Sequence, residues 1–460
     1  MSTEQFDLIV LGAGSAARDG AGKAKREYGA NVAMLERERW GGSCPNVACR
    51  PTKAYLTAAE LVHDINHEAA NRGIRVSRAE IDMARLRAWK DSIRRDQKSW
   101  LELLGQSYTT VPGQASFVDE QTVRVGEREL NAERILIATG GRTAVPPIPG
   151  IEQVDWLDHI SALELERVPE SLLVIGAGPV GLEFAQIFAR FGSRVTVVSH
   201  GTQIAARSDT EAARELHAAF EAEGIEIILT DGGVERFSRD DKGIEATITG
   251  GRVVTVSDVL LASGRIANIE ALGLDRIGVE ASPRGIVVDD RQRTTLHGIW
   301  AAGDVARGPM FTPTAQYQAR IAVDDMFDGS RHADYRVLPT AIFTDPELGD
   351  VGLTEAEARA QGYDADVVKH PLSAITRAQF STSRHGLFKI VFDRVTRNVL
   401  GVHVVSRGAS DIVGTLAIAL RLGVTVDELA LVHHVYPSYS EGLKAAAEQA
   451  VKTPTSAATS

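Results

Sequence analysis

Twice along this chain a short apolar run ends in spaced glycines and opens directly into a helix-length pattern, which leaves few folds open. Residues 7–14 (DLIVLGAG) lead into a helical stretch and then a second strand pattern, NVAMLE. The arrangement returns in SLLVIGAGPVGLEFAQIFARFGSRVTVVS, residues 171–199. A strand, a glycine turn, a helix and a second strand form the βαβ unit that cradles a dinucleotide. In Gly12-Ala-Gly14-Ser-Ala-Ala17 the first glycine allows the tight turn and the second lets backbone approach a pyrophosphate at the helix N-terminus. Ala17 takes the third position, which serves helix–strand packing. Glu36 closes the next strand, where a carboxylate can accept hydrogen bonds from ribose hydroxyls.

Gly176-Ala-Gly178-Pro-Val-Gly181 repeats the motif in full, but its acidic partner is missing. Glu36 lies 24 residues after Gly12, and the matching region after Gly176 reads Val198-Ser199-His200-Gly201. A carboxylate there would repel the 2′-phosphate of NADP, whereas Ser199, His200 and Arg207 can bind it. The second site is therefore expected to prefer NADPH, with NADH as the other candidate.

The remaining bounds come from size and composition. A chain of 460 residues exceeds a single hydrophobic core. With 44% apolar and 24% charged residues it has ordinary globular composition. A net charge of −11 gives no reason to expect nucleic acid or an anionic membrane as partner. No apolar run is long enough to span a bilayer, and a strand pattern starts at Phe6, so a cytoplasmic protein without a signal peptide is expected. Residues 85–104 read as one charged amphipathic helix. His63 and His67 share a helix face and can in principle hold a metal, although no metal site is expected.

Only two cysteines occur, Cys44 and Cys49, five positions apart. Two thiols do not complete a structural zinc site, and a secreted disulfide scaffold needs more of them, so redox chemistry is the better reading. Five residues of regular helix rise about 7.5 Å, more than the roughly 7 Å that a disulfide allows between Cα atoms. If the pair bonds, the first turn must be irregular, which suits Pro45 and Asn46. A thiolate at a helix N-terminus is stabilised by the dipole and by a nearby cation, for which Lys53 is a candidate.

The segment GGSCPNVACRPTK, carrying Gly42, Ser43, Cys44, Cys49 and Lys53, resembles the FAD-dependent pyridine nucleotide–disulfide oxidoreductases, the family of lipoamide dehydrogenase, glutathione reductase and mercuric reductase. Further resemblances lie at the Ala138-Thr139-Gly140 turn, at Ala262-Ser263-Gly264-Arg265, at Gly298–Asp304 and at Phe343–Glu355. They imply an α/β protein with two Rossmann-like dinucleotide-binding domains and an α+β C-terminal dimerisation domain. The implied division is 1–148 and 269–335 for FAD, 149–268 for NAD(P)H, 336–450 for dimerisation, and a disordered tail at 451–460. Thr139, Gly140, Gly303 and Asp304 would contact FAD, with Asp304 on the ribityl chain. Gly264 would contact the nicotinamide nucleotide. Cys49 would be the flavin-side thiol and Cys44 the interchange thiol that meets substrate, while Lys53 and Glu183 would pair beside the flavin.

The chain departs from these relatives at its C-terminal motif. Where disulfide reductases of the family carry a segment like HPTxSE, this sequence reads Tyr436-Pro437-Ser438-Tyr439-Ser440-Glu441. Tyrosine, with an ordinary pKa near 10, is a poor proton acceptor at neutral pH. Mercuric reductase also has a tyrosine near this point, but it ends in a cysteine pair that this chain lacks. A 2-ketopropyl-coenzyme M oxidoreductase/carboxylase likewise does without the histidine. The expected function is an NADPH-dependent flavoprotein disulfide oxidoreductase acting as a homodimer on a small-molecule disulfide or related sulfur substrate, or another small electron acceptor, with Tyr436 and Glu441 completing the partner's cleft. The alternatives are a metal-ion or quinone reductase, a carboxylase of that third type and a redox-sensing flavoprotein.

Overall fold

The computed structural model describes residues 3–452 except 242, 382 and 383. The tail expected at 451–460 falls outside the described residues from 453 onward, and Val451 ends the last helix. Two compact units form: residues 1–51, 88–144 and 264–334 make the first, and 52–87, 145–263 and 335–460 the second.

The first unit is built on a parallel sheet with strands in the order Ile299–Ala301, Ile135–Ile137, Leu8–Leu11, Val32–Glu36 and Thr109–Pro112. Leu8–Leu11 is buried at every position, as a central strand covered on both faces requires. The crossover helix Ser15–Tyr28 buries a stripe of alanine and glycine, small residues that let it lie close to helix Thr312–Met326. It ends at Gly29 in the left-handed conformation, a common helix stop.

In the second unit, strands Glu226–Thr230, Arg194–His200, Ser171–Ile175 and Asp258–Leu261 form a parallel sheet. The C-terminal part is an antiparallel sheet of Thr340–Ile342, Glu347–Gly352, Val399–Ser406, Leu387–Asp393 and Ala365–Pro371, followed by helices Ala409–Arg421, Val426–Leu431 and Glu441–Val451. This is the α/β class with an α+β C-terminal part that the pattern implied. No helix among the described residues is long and apolar enough to cross a membrane.

One expected element is corrected. Residues 85–104 form two helices, Met83–Ser92 and Gln97–Gly105. The break has a local cause: the Asp96 carboxylate accepts the Ser99 N–H (2.9 Å) and caps a new helix start.

Candidate active site

The nucleotide loop of the first unit is set by its strand register. Gly12 N–H donates to Leu35 O (2.7 Å), and Gly12 has φ +112° where an added Cβ would meet Ala138 O at 2.3 Å. Only glycine fits that crossing. Helix Ser15–Tyr28 has Gly14 at its N-cap, no side chain capping it and no acidic residue in its first turn, so its first N–H groups and its dipole suit an anion. Glu36 Oε2 accepts the Ala13 N–H (2.9 Å), and Oε1 accepts those of Glu38 (2.8 Å) and Arg39 (3.1 Å). Glu36 lines an open cleft with Gly12, Arg37, Gly113 and Thr139. A backbone cradle beside a fixed carboxylate suits the pyrophosphate and ribose of FAD. The Asp304 carboxylate is paired with Arg265 Nε (3.1 Å), and Gly303 N–H donates to Gln318 Oε1 (2.8 Å). Thr139 Oγ1 donates to Asn268 O (2.8 Å), and the Gly140 carbonyl accepts the Asn268 N–H (3.0 Å). Ala17 is fully buried in the packing position expected of it.

The loop carrying the cysteines lies directly on this cradle. A Cβ on Gly42 would fall 2.4 Å from Gly14 Cα, so the two backbones touch. Ser43–Asn46 forms one short helical turn, the chain breaks at Val47, and a new helix runs Cys49–His63. The break that the cysteine spacing calls for is present. Asn46, the last residue of the turn, donates its side-chain amide to Trp40 O (2.9 Å) and Gly42 O (2.7 Å). Cys44 is half-buried and Cys49 exposed at its helix N-terminus. Cys49 Sγ lies 3.6 Å from Thr312 Oγ1, a neighbour sequence reasoning missed, although a Thr-Pro helix start marks the place.

In the second unit the Lys53 ammonium donates to both Glu183 oxygens (2.8 Å each). Glu183 Oε1 also accepts the Phe343 N–H (3.1 Å), and Lys53 Nζ sits 4.3 Å from the Phe343 ring centroid. Glu183 is buried, so this carboxylate has one well-defined partner set.

The second nucleotide loop repeats the first. Gly176 N–H donates to Val198 O (2.8 Å), and helix Pro179–Phe191 starts at Gly178 without a side-chain cap. An added Cβ on Gly181 would clash with Gly176 O at 1.9 Å, the close packing the third glycine serves. Ser199 Oγ accepts the Ala177 N–H (3.2 Å), the bond that Glu36 makes to Ala13 in the first loop. Ser199 is thus the structural counterpart of Glu36. His200 Nδ1 is 3.1 Å from Asp231 O, and Arg207 is exposed. Gly264 lies in the first unit, its carbonyl accepting the Ala144 N–H (3.0 Å).

Tyr436 is exposed, with its hydroxyl 3.4 Å from Thr376 Oγ1. Glu441 Oε2 accepts the Ser438 N–H (3.0 Å), which closes the loop between them. Burial and the Lys444 ammonium hold His434 below the usual imidazole range, with Glu441 opposing. The His63 and His67 rings stack at 4.7 Å, and no group of three or more metal-ligating side chains occurs among the described residues.

These features define a nucleotide-dependent flavoprotein with a dithiol centre, and sequence comparison identifies its family. The pattern of the pyridine nucleotide-disulphide oxidoreductases matches residues 6–319, and that family's dimerisation domain matches residues 338–447. The chain belongs to this family, whose members use FAD and take electrons from NAD(P)H. It is 37% identical to a mercuric reductase of Lysinibacillus sphaericus, covering 97% of this chain and 83% of that protein. It is 35% identical to dihydrolipoyl dehydrogenase 3 of Pseudomonas aeruginosa, covering 96% and 97%. Among solved structures, the Cu(II) complex of the HOCl-induced flavoprotein disulfide reductase RclA from Escherichia coli superposes with a TM-score of 0.85 at 29% identity, covering 98% of this chain and all of that one.

Proposed function

We propose that this chain is an NADPH-dependent reductase that passes an electron pair through Cys44 and Cys49 to a disulfide or related sulfur substrate. The observation that carries this reading is the cysteine loop seated on the first nucleotide cradle, Gly42 against Gly14, with Cys49 opening a helix. FAD held at the Gly12–Gly14 turn and Glu36 would supply the two-electron relay between a nicotinamide and the cysteine disulfide. The helix dipole and the Thr312 hydroxyl favour Cys49 as thiolate. Cys44 attacks one substrate sulfur, the other sulfur leaves as a thiolate, and Cys49 then displaces the first by re-forming the internal disulfide. Each turnover consumes NADPH, a proton and a disulfide and yields NADP⁺ and two thiols. Lys53, fixed by Glu183 and Phe343, is the lysine that the family resemblance pairs with a glutamate beside a flavin.

A second reading, reduction of a thiophilic metal ion held by the two thiolates, is favoured by Tyr436 at the histidine position and Glu441 engaged with Ser438. Reduction of such an ion needs no proton relay. Anaerobic titration with NADPH tests the shared core. A long-wavelength absorption band at two electrons per flavin is expected, and simple bleaching without it would sink the dithiol reading. NADPH oxidation with a disulfide panel and with Hg(II) then separates the two acceptors.

The nucleotide preference rests on Ser199, a neutral acceptor where the first loop has a carboxylate. Ser199→Glu is expected to lower kcat/KM for NADPH by about tenfold or more while sparing NADH, because a carboxylate repels the 2′-phosphate and accepts ribose hydroxyls. An unchanged ratio would remove Ser199 from the preference.

The chain is also proposed to work as a homodimer. Ile418 and Leu422 at the end of one helix and Leu431, Val432, Val435 and Tyr436 on the following segment are all exposed. Such an apolar surface on a dimerisation domain fits burial against a second copy.

A further inference from the structure

We propose that Arg18 is a positioning residue of the dithiol centre, its guanidinium set by Trp100 so that its charge favours the thiolate of Cys44. The proposal rests on the reading of Cys44 as the interchange thiol. Three contacts triangulate the placement. Arg18 stands one helical turn after Gly14, the residue whose backbone touches Gly42. The buried Trp100 ring packs against Gly41 so closely that a Cβ there would lie 2.5 Å from it. The Arg18 guanidinium carbon is 4.9 Å from the centre of that same ring. Arg18 and the cysteine loop therefore flank one tryptophan.

The side chain is held by the aromatic face rather than by a carboxylate. Its buried Nε has no hydrogen-bond partner among the described residues, and its neighbour Asp19 is turned to Arg320 (2.7 Å). Burial pushes the Arg18 guanidinium down, while Cys44, Asp19 and Tyr108 act on it in the opposite direction. An arginine remains a cation under such conditions.

The other charged groups around the loop come from the adjoining helical segment and from the same helix. Arg95 stacks on Trp100 at 5.2 Å, Arg94 donates to Asn46 O (3.1 Å) and pairs with Asp91 (2.7 Å), and Arg26 faces Tyr108. The setting is net cationic, which favours a thiolate over a thiol. With tyrosine at position 436, a fixed charge stabilises the attacking sulfur anion, while the proton that the departing thiolate takes up comes from solvent.

The test is the pH profile of iodoacetamide alkylation at Cys44 in the reduced holoenzyme, read by mass spectrometry. The parent is expected to titrate below the ordinary thiol value of about 8.5. Arg18→Met is expected to raise the midpoint by about one unit or more, and Arg18→Lys to restore most of the shift. A methionine profile that overlays the parent would overturn the proposal. Should the methionine variant lose its flavin, the parent profile still decides, since a midpoint at or above the ordinary value excludes the role. Failure of the dithiol reading shows instead in the NADPH titration, which does not depend on Arg18.

Discussion

Cys44→Ser is expected to reduce disulfide-dependent NADPH oxidation by at least about a thousandfold, because a neutral hydroxyl does not replace a thiolate nucleophile. Reduction of an artificial acceptor that takes electrons directly from the flavin should survive within a few-fold. The contrast follows from the layout of the first unit. Cys44 sits on the short helical turn Ser43–Asn46 and is not among the residues that line the Glu36, Gly12 and Thr139 cleft proposed for FAD. Serine at position 44 keeps the half-buried volume and leaves the Asn46 bonds that shape the loop. A steady-state assay with both acceptors checks this. Equal loss of both activities would mean that Cys44 supports flavin binding rather than substrate attack.

Lys389→Met is expected to destabilise the second unit by about 3–5 kcal/mol, the usual cost of leaving a buried carboxylate, here that of Asp209, without its cation. The Lys389 ammonium is almost wholly buried, 2.7 Å from Asp209 and 2.9 Å from Glu211, with Glu355 at 3.7 Å. Asp209 also caps helix Thr210–Ala222 by accepting the Glu211 N–H (3.0 Å), so the cluster anchors that helix to strand Leu387–Asp393. Burial alone would raise the Asp209 carboxyl, yet the Lys389 and His403 charges hold it below the usual carboxylate range. Burial would likewise lower Lys389, and Asp209 and Glu211 instead raise it.

The signs give a pH window. The Asp209 contribution is present above its unfolded value of about 4 and is lost as pH falls through the depressed folded value. The Lys389 contribution is present below about 10.4 and is lost as pH rises through the raised folded value. The gap in denaturation midpoint between parent and Lys389→Met should therefore be full at neutral pH and narrow below about pH 4. Adding Asp209→Asn, which keeps a capping oxygen, should recover part of the loss. A midpoint unmoved by Lys389→Met would show that the cluster does not hold the unit together.

How much of this was legible in advance differs by kind of residue. The glycine turns were readable because the strand–turn–helix unit leaves a fixed glycine spacing in the sequence, although the atoms that require glycine at Gly12 and Gly176, Ala138 O and Ala262 O, lie on other strands. The cysteine loop was readable from the spacing of its two thiols, and the chain does break between them, after the short turn Ser43–Asn46. Helix boundaries were less so. Residues 85–104 carry one charged amphipathic pattern, and a single capping bond from Asp96 divides it.

By itself the sequence determined the order of the elements, the two nucleotide turns and the spacing of the thiols, each of which leaves its pattern within a few turns of chain. Only the tertiary structure decided which distant groups meet. Ser199 takes the backbone bond of Glu36 because strand register aligns Ile175 with Val198 as it does Leu11 with Leu35. Thr312 reaches Cys49 from 263 residues away, and Lys389 reaches Asp209 across 180. Periodicity and turn chemistry report on neighbours along the chain. Pairings at such separations are set by how sheets and helices pack, which no local pattern records.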